Sequence, residues 1–537
     1  MKWQIIITWC KDLCSLQKIT NLLFIFSLLI FLFTLFLYPT NSTDLGWHLK
    51  YGHYFAQTGK ILKANTYSYT MPDFVWTNDS WLYDVVVYQI FYHFNFPGLT
   101  IAGALVGVIL TLILYKLAKT NKQNFIIAFI PFYIIVHTVF YHGLRAQTVS
   151  LAFLAAIMCL VEKIDINNVN IKKIRFRSKI FSFTKLISIF TRDSNMVAVK
   201  NFNQKHVILW DQVLSSISTF IIFLFWANWH GEYLVGLTYI GLVLTGKTLD
   251  EFLGKQELVA YKTLLPILII GFLASLITPF GIANYLQGIT HIFSSRLEGI
   301  GEWSPWPSNS WQWWTLLGYT AFLGWNIIQY KKLRTFINIV PLSLFILQAI
   351  MHRRMQAMMA VVSFPLLVSI ISSYKLKFSL KPLTLFGLSL FLIWAAWRVN
   401  IIHKPWIKTW NDYCLSQPST LCSEEMVNFL SQNQIKGKIF NYYNWGGYLI
   451  WRYPSEKVFI DGRMVSWQDY KSKYLPFAHY DQMMQADTKG IEEFFKQQFD
   501  YVLLPNHTLL GDNLLNKYGW RIIYQDKLSV VLVPFYH

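Results

Sequence analysis

The residues best able to do chemistry in this chain sit at the ends of apolar runs. The first run, 19–38, closes at Pro39, and Asp44, Trp47 and His48 follow at once. At ~1.5 Å per residue, about 20 apolar residues cross the ~30 Å hydrocarbon core of a bilayer. A carboxylate just beyond such a span is costly near lipid unless it faces water, a cation or a reacting group. The loop that it opens, 42–84, adds His53, Asp73, Asp79 and Asp84 among many aromatics, with Trp81 starting a stretch, 81–94, of helical periodicity that suits a helix lying along the membrane surface. Two readings stay open: a wet loop whose aromatics anchor it at the interface, or Asp44 and Asp79 turned into a cavity at the membrane edge.

Four more segments carry polar groups at span ends. Arg145 stands between Leu144 and Ala146; WANWHGE (226–232) brings Asn228 and His230; TPFG (278–281) and EGIGEWSP (298–305) bring Glu298, Glu302 and Trp303; and His352, Arg353 and Arg354 follow Met351. Singly, each is a snorkelling or capping group. Converging on one face, carboxylates with histidines can hold a divalent cation. Arginines at the same depth suit a phosphate, which they grip with two parallel hydrogen bonds. A phosphate carried on a membrane lipid fits both depth and charge. A last constellation, NYYNWGGYLIWRYPSEKVFIDGR (441–463), sets Tyr442, Tyr443, Trp445 and Tyr448 around Gly446 and Gly447, with a turn at Asp461 and Gly462 after a strand at 457–460. It reads equally as strand, turn and strand with core aromatics, or as a binding groove.

The elements that must position these groups are membrane helices. The 537 residues are 54% hydrophobic and only 14% charged, more apolar than a soluble globular protein needs. The fold class expected is an all-α polytopic membrane domain of about eleven transmembrane helices with a small C-terminal α/β domain. The spans fall near 19–38, 99–117, 124–141, 147–161, 213–229, 233–245, 264–280, 313–329, 336–351, 358–373 and 383–397. The net charge of +19 does not indicate nucleic acid, because the basic residues sit in short loops between spans, where they set orientation. That bias places the N-terminus inside and the C-terminal part outside, with the stretch 180–190 as a cytosolic surface helix. No small-residue cleavage site follows the first run, so it reads as a retained span. The division is a membrane domain, 1–399, with a long first outer loop, 39–96, and an extracytoplasmic domain, 400–537. In that domain strands at 437–440, 457–460, 501–504, 521–524 and 530–533 alternate with helices at 423–432 and 490–498. An oxidising exterior would allow Cys414 and Cys422 to pair, whereas Cys10 and Cys14 lack the further ligands of a zinc site.

With these residues in view, the chain resembles the GT-C superfamily of integral membrane glycosyltransferases. The first outer loop, with an acidic residue just after the first span, resembles the superfamily's catalytic acidic motif, with Asp44 in that position, and its stretch DLGWHLKYG is similar to a bacterial branch of GT-C-like membrane proteins. WANWHG, TPFG, EWSP and FIDGR resemble the same uncharacterised branch. YYNWGGYLI looks like a degraded form of the Trp-Trp-Asp-Tyr-Gly motif of oligosaccharyltransferase catalytic subunits, with Asn444 in place of Asp and Trp445 in place of Tyr. The resemblance implies a bacterial inner-membrane enzyme that moves a sugar, with inversion, from a polyprenyl-phosphate-linked donor to an unidentified extracytoplasmic acceptor. Asp44 would be the general base, and Arg353, Arg354, Arg145 and His352 would meet the donor phosphate. His48, Asp79, Trp81, Asn228, His230, Glu302, Trp303, Trp445 and Tyr448 would contact sugar or acceptor. A divalent cation, Mg or Mn, would rest on Asp44 and Glu302 if one is used. Two other classes stay open: a transporter or flippase of lipid-linked saccharides, and a non-catalytic membrane scaffold with an outer binding domain.

Overall fold

The computed structural model describes residues 2–72, 74–169, 204–292, 301–376, 382–416, 422–468 and 474–535. Asp73, Arg296, Glu298, the stretch 180–190 and most of the basic loop around it lie outside the described residues. Helices dominate. In order come α1 (Lys2–Leu35), α2 (Leu45–Thr58), α3 (Trp81–Ala118), α4 (Lys122–Phe140) and α5 (Ala146–Val169). The later long helices are Gln204–Trp229, Tyr233–Leu253, Ala260–Ser275, Trp311–Gln329, Phe336–Met351, Gln356–Ser373 and Pro382–His403. Each of the eleven apolar runs falls on one of these helices. By length and apolarity, however, seven described helices can cross a membrane, while Ala260–Ser275 and Phe336–Met351 are apolar but shorter. Gln356–Ser373 runs through the centre, and α1 packs along Pro382–His403 at the periphery.

Within α3 the chain breaks at Asn95, whose φ of 53° is not helical. Its side-chain oxygen accepts the Phe96 N–H at 2.8 Å, and Pro97 follows where a missing N–H costs nothing. The break divides the amphipathic stretch 81–94 from the apolar span after it, as the periodicity implies.

The C-terminal sheet has the order β1-β2-β4-β3, built from β1 (Ile439–Asn441), β2 (Tyr501–Pro505), β3 (Arg521–Gln525) and β4 (Ser529–Val533). β1 pairs parallel to β2, and the other pairings are antiparallel. The expected strand at 457–460 is not in this sheet. Its partners come from the first loop: Val458 bridges Ser68, its N–H donates to the Tyr67 carbonyl at 3.1 Å, and Ser68 Oγ donates to the Phe459 carbonyl at 3.1 Å. Cys414 and Cys422 form the expected disulfide.

Two hydrophobic cores result. One lies among the membrane helices. The other joins residues 45–99 of the first loop and α3 with residues 407–533 of the C-terminal part. The first loop and the C-terminal sheet therefore fold as one body. Glycines allow the close approach: a β-carbon at Gly46 would overlap the Gly447 carbonyl, so α2 lies directly on the helix Gly446–Arg452.

Candidate active site

Where that composite body meets the membrane helices there is a cavity of about 500 Å3. Asp44, at the N-terminal end of α2, lines it. The Trp47 indole N–H donates to Asp44 Oδ1 at 3.0 Å. Gly462, from the turn after Asp461, lies against the same carboxylate, so closely that a β-carbon there would overlap Oδ1. Arg463 holds that turn. Its Nε and Nη2 each donate to Asp461 at 2.7 Å, and its guanidinium is packed among the rings of Tyr67, Trp76 and Trp467.

His48 also lines the cavity. Its Nδ1 lies 2.5 Å from Asp84 Oδ1, and the Asn78 amide donates to Asp84 Oδ2 at 2.7 Å. Asp79 accepts from Ser80 Oγ at 3.0 Å and lies against Gly231, where a β-carbon would overlap its Oδ2.

The arginines come from the facing elements. Arg145, before α5, forms an ion pair with Glu302, whose second oxygen is 3.4 Å from Nη2. Burial pushes the Glu302 carboxyl up, but Arg145, with help from Arg354 and His142, outweighs it and holds the carboxyl at about 2. Arg354 Nε donates to Glu232 Oε1 at 3.0 Å and its Nη2 donates to His230 Nε2 at 3.0 Å. With Nε2 accepting, Nδ1 of His230 is the N–H, and it faces Ser150 Oγ at 3.2 Å and Glu232 Oε2 at 3.3 Å. His352 Nδ1 donates to the Trp303 carbonyl at 2.6 Å, and Arg354 lies over the Trp303 ring at 5.2 Å. Beyond this polar end the wall turns apolar with Leu234, Val235, Leu344 and Phe345.

The structure thus brings Asp44, His48, Asp79, Arg145, His230, Trp303, His352 and Arg354 to one cavity, with Glu302 behind Arg145. It does not bring the others. Arg353 turns away: its Nε donates to the Pro305 carbonyl at 3.1 Å and it stacks on Trp306 at 4.7 Å. Trp445 is fully buried in the C-terminal core, and Tyr448 is 2% exposed with its hydroxyl on Glu424, which also pairs Arg452. The Gly446 and Gly447 motif is core and close contact, not a groove. Trp81 donates to Asn228 Oδ1 at 2.7 Å beside a separate apolar groove bounded by Phe225 and Ile277. Nor does the donor set fit a cation shared by Asp44 and Glu302, because Glu302 gives its carboxylate to Arg145. Among the described residues no three of His, Cys, Asp and Glu gather as metal ligands. The sequence reading assigns no site role to Glu232, Asp84 or Arg463. The signals were present, since Glu232 lies two residues after His230 and Arg463 follows Asp461 and Gly462.

No family model matches the chain, and no curated protein matches it in sequence. Solved structures do. The archaeal oligosaccharyltransferase AglB from Archaeoglobus fulgidus, in complex with an inhibitory peptide and a dolichol-phosphate, superposes with a TM-score of 0.52 at 10% identity over 90% of this chain and 69% of its own. ArnT from Cupriavidus metallidurans, bound to undecaprenyl phosphate, superposes with a TM-score of 0.50 at 11% identity over 95% of this chain and 97% of its own. The chain shares its fold with both of these membrane proteins. The chain is a multi-pass membrane protein of that architecture.

Proposed function

We propose that this protein is a membrane glycosyltransferase that moves a sugar from a polyprenyl-phosphate-linked donor to an extracytoplasmic acceptor at the bacterial inner membrane. One observation carries the reading: Asp44 and two arginines from facing elements, Arg145 and Arg354, line one cavity whose other end is apolar. The fold neighbours, determined with dolichol-phosphate and undecaprenyl phosphate, support a lipid of that kind. The inside position of the N-terminus and the outside position of the C-terminal body rest on the basic loops and on the Cys414–Cys422 disulfide, which suits an oxidising compartment. The eleven spans expected from the sequence, an odd number, would put the two ends of the chain on opposite sides.

In this reading the isoprenoid tail runs between the apolar ends of the helices Tyr233–Leu253 and Phe336–Met351. The phosphate meets Arg145 and Arg354, and the sugar lies toward Asp44. Asp44 takes the proton of the acceptor hydroxyl as the oxygen attacks the anomeric carbon from the face opposite the phosphate, which inverts that centre. Arg354 is held by Glu232 and His230, and Arg145 by Glu302, so both cations are fixed before charge builds on the leaving phosphate. Asp79, His352 and Trp303 border the sugar. No step is assigned to a metal ion.

The test is reconstitution into proteoliposomes with undecaprenyl phosphate carrying a radiolabelled hexose, plus a cell-envelope extract as acceptor source. Label should leave the lipid, with undecaprenyl phosphate accumulating, and Asp44→Asn should stop this while the protein remains folded. Label that crosses the bilayer still attached to its lipid would show a transporter and sink the reading.

A further inference from the structure

The second acid–base pair of the cavity has no role in the scheme above. His48 lies one turn of α2 beyond Asp44, on the same face of the helix. Its Nδ1 is 2.5 Å from Asp84, whose side chain is wholly buried and whose other oxygen is held by Asn78. The Trp47 ring lies tilted against the imidazole, centroids 3.6 Å apart, and Tyr83 meets it edge-on at 4.9 Å. The ring is therefore fixed in place and in tautomer. Nδ1 is the N–H toward Asp84, and the lone pair of Nε2 is left for another partner. Among the described residues none hydrogen-bonds to Nε2, and the 12% of the side chain that is exposed belongs to a residue lining the cavity.

A carboxylate that has taken an acceptor's proton must give it up before it can act again. We propose that His48 is a second catalytic group, which receives that proton from Asp44, and that Asp84 is the positioning residue that fixes the tautomer and offsets the imidazolium. The inference rests on the glycosyl-transfer reading. The acceptor oxygen forms its bond to the anomeric carbon. The bond from that carbon to the phosphate oxygen breaks, and its electron pair stays on the phosphate. The acceptor's proton passes to the Asp44 carboxylate, then to Nε2 of His48, and leaves from the imidazolium to cavity water. Because Asp84 already sits against Nδ1, the positive charge forms beside a compensating carboxylate, while Arg145 and Arg354 stay committed to the phosphate.

The experiment compares two nucleophiles on the full-length protein in proteoliposomes, with undecaprenyl phosphate carrying glucose, mannose or N-acetylglucosamine as donor. Water must lose a proton to react, whereas azide has none to lose. Release of undecaprenyl phosphate is followed in the wild type, in His48→Ala, in His48→Asn, in Asp84→Asn and in Arg354→Ala. For hydrolysis, the two His48 variants should be slower by on the order of 10²-fold, the low end of what a positioned base contributes, and Asp84→Asn should also be slow. With azide the His48 variants should match the wild type, and added imidazole should restore hydrolysis in His48→Ala. Arg354→Ala should be slow with both nucleophiles. His48 variants that hydrolyse at the wild-type rate, or that are slow with azide as well while still binding undecaprenyl phosphate, overturn the relay. A wild type that releases lipid phosphate with neither nucleophile, nor with a cell-envelope extract as acceptor source, overturns the glycosyl-transfer reading and the relay with it.

Discussion

Gly462 rests against the carboxylate of Asp44, although 418 residues of chain separate them, and no side chain fits between the two. The turn that carries Gly462 is pinned by the Asp461–Arg463 pair, which is almost fully buried and boxed in by three aromatic rings. Asp44 is therefore aimed by the C-terminal part of the protein as much as by its own helix.

Gly462→Ala should push the Asp44 carboxylate out of place without removing it. We expect sugar transfer to fall by about 10²-fold, the cost of misplacing a catalytic group by ~1 Å, while undecaprenyl phosphate still binds. Binding can be followed by lipid-induced thermal stabilisation and transfer by release of radiolabel. An alanine variant with full activity would remove Gly462 from the aiming of Asp44.

The two arginines differ in their support. Removing Arg354 leaves the buried Glu232 carboxylate with His230 as its remaining partner, so Arg354→Ala should cost stability as well as rate. Loss of one preorganised donor to a leaving group lowers turnover by ~10²–10³-fold. Arg354→Lys keeps the charge but cannot reach Glu232 and His230 together, and should recover stability only in part. Melting temperature and turnover measured side by side would check this.

Glu302 makes a prediction about acid. Its carboxyl is held at about 2 in the folded protein, below the ~4.3 of an unperturbed Glu. A group depressed in this way adds stability above its unfolded value and loses that contribution as the pH falls toward about 2. The wild type should exceed Glu302→Gln in melting temperature by a constant margin from pH 7 to about 5, and the margin should close below that. A margin that grows as the solution is acidified would mean that the Arg145 pair does not hold the charge.

The disulfide closes a short loop, with a sequence separation of 8. Chain-entropy arguments give about 2.5 kcal/mol for such a loop. Cys414→Ser should lower stability by roughly that amount in a denaturant titration. It should also loosen Tyr413, whose hydroxyl donates to the Ser42 carbonyl just before Asp44. Cys414→Ser and Cys422→Ser should act alike, and the pair together should cost no more than either alone.

Much of the scaffold was legible because apolar run length is a strong signal, and each of the eleven runs became a helix. No strand forms at 457–460, where only Val458 pairs, in an isolated bridge. Its pairing partner is a loop some 390 residues earlier, and local pattern carries no trace of it. Arg353 and Arg354 could not be told apart by type. The short turn at 353–355 sends one to Trp306 and the other to Glu232. Trp445 and Tyr448 show the reverse problem, since aromatics around two glycines describe a dense core and a sugar platform equally well. Glu232 was visible beside His230, but only the fold brings Arg354 to it.

The shared core of the first loop and the C-terminal body has a consequence for biosynthesis. Ser68 reaches the Phe459 carbonyl across 391 positions of chain. At ~5–20 residues per second, a ribosome needs on the order of a minute to make that stretch. Throughout that time the early loop has left the translocon without its partner. An unfinished or prematurely cut chain can thread its helices into the bilayer, yet Asp44 in it lacks the turn that aims it. Under the proposed function, competence toward a lipid donor would then arrive only when translation is nearly complete, and a truncated copy in the membrane would be inert rather than hazardous.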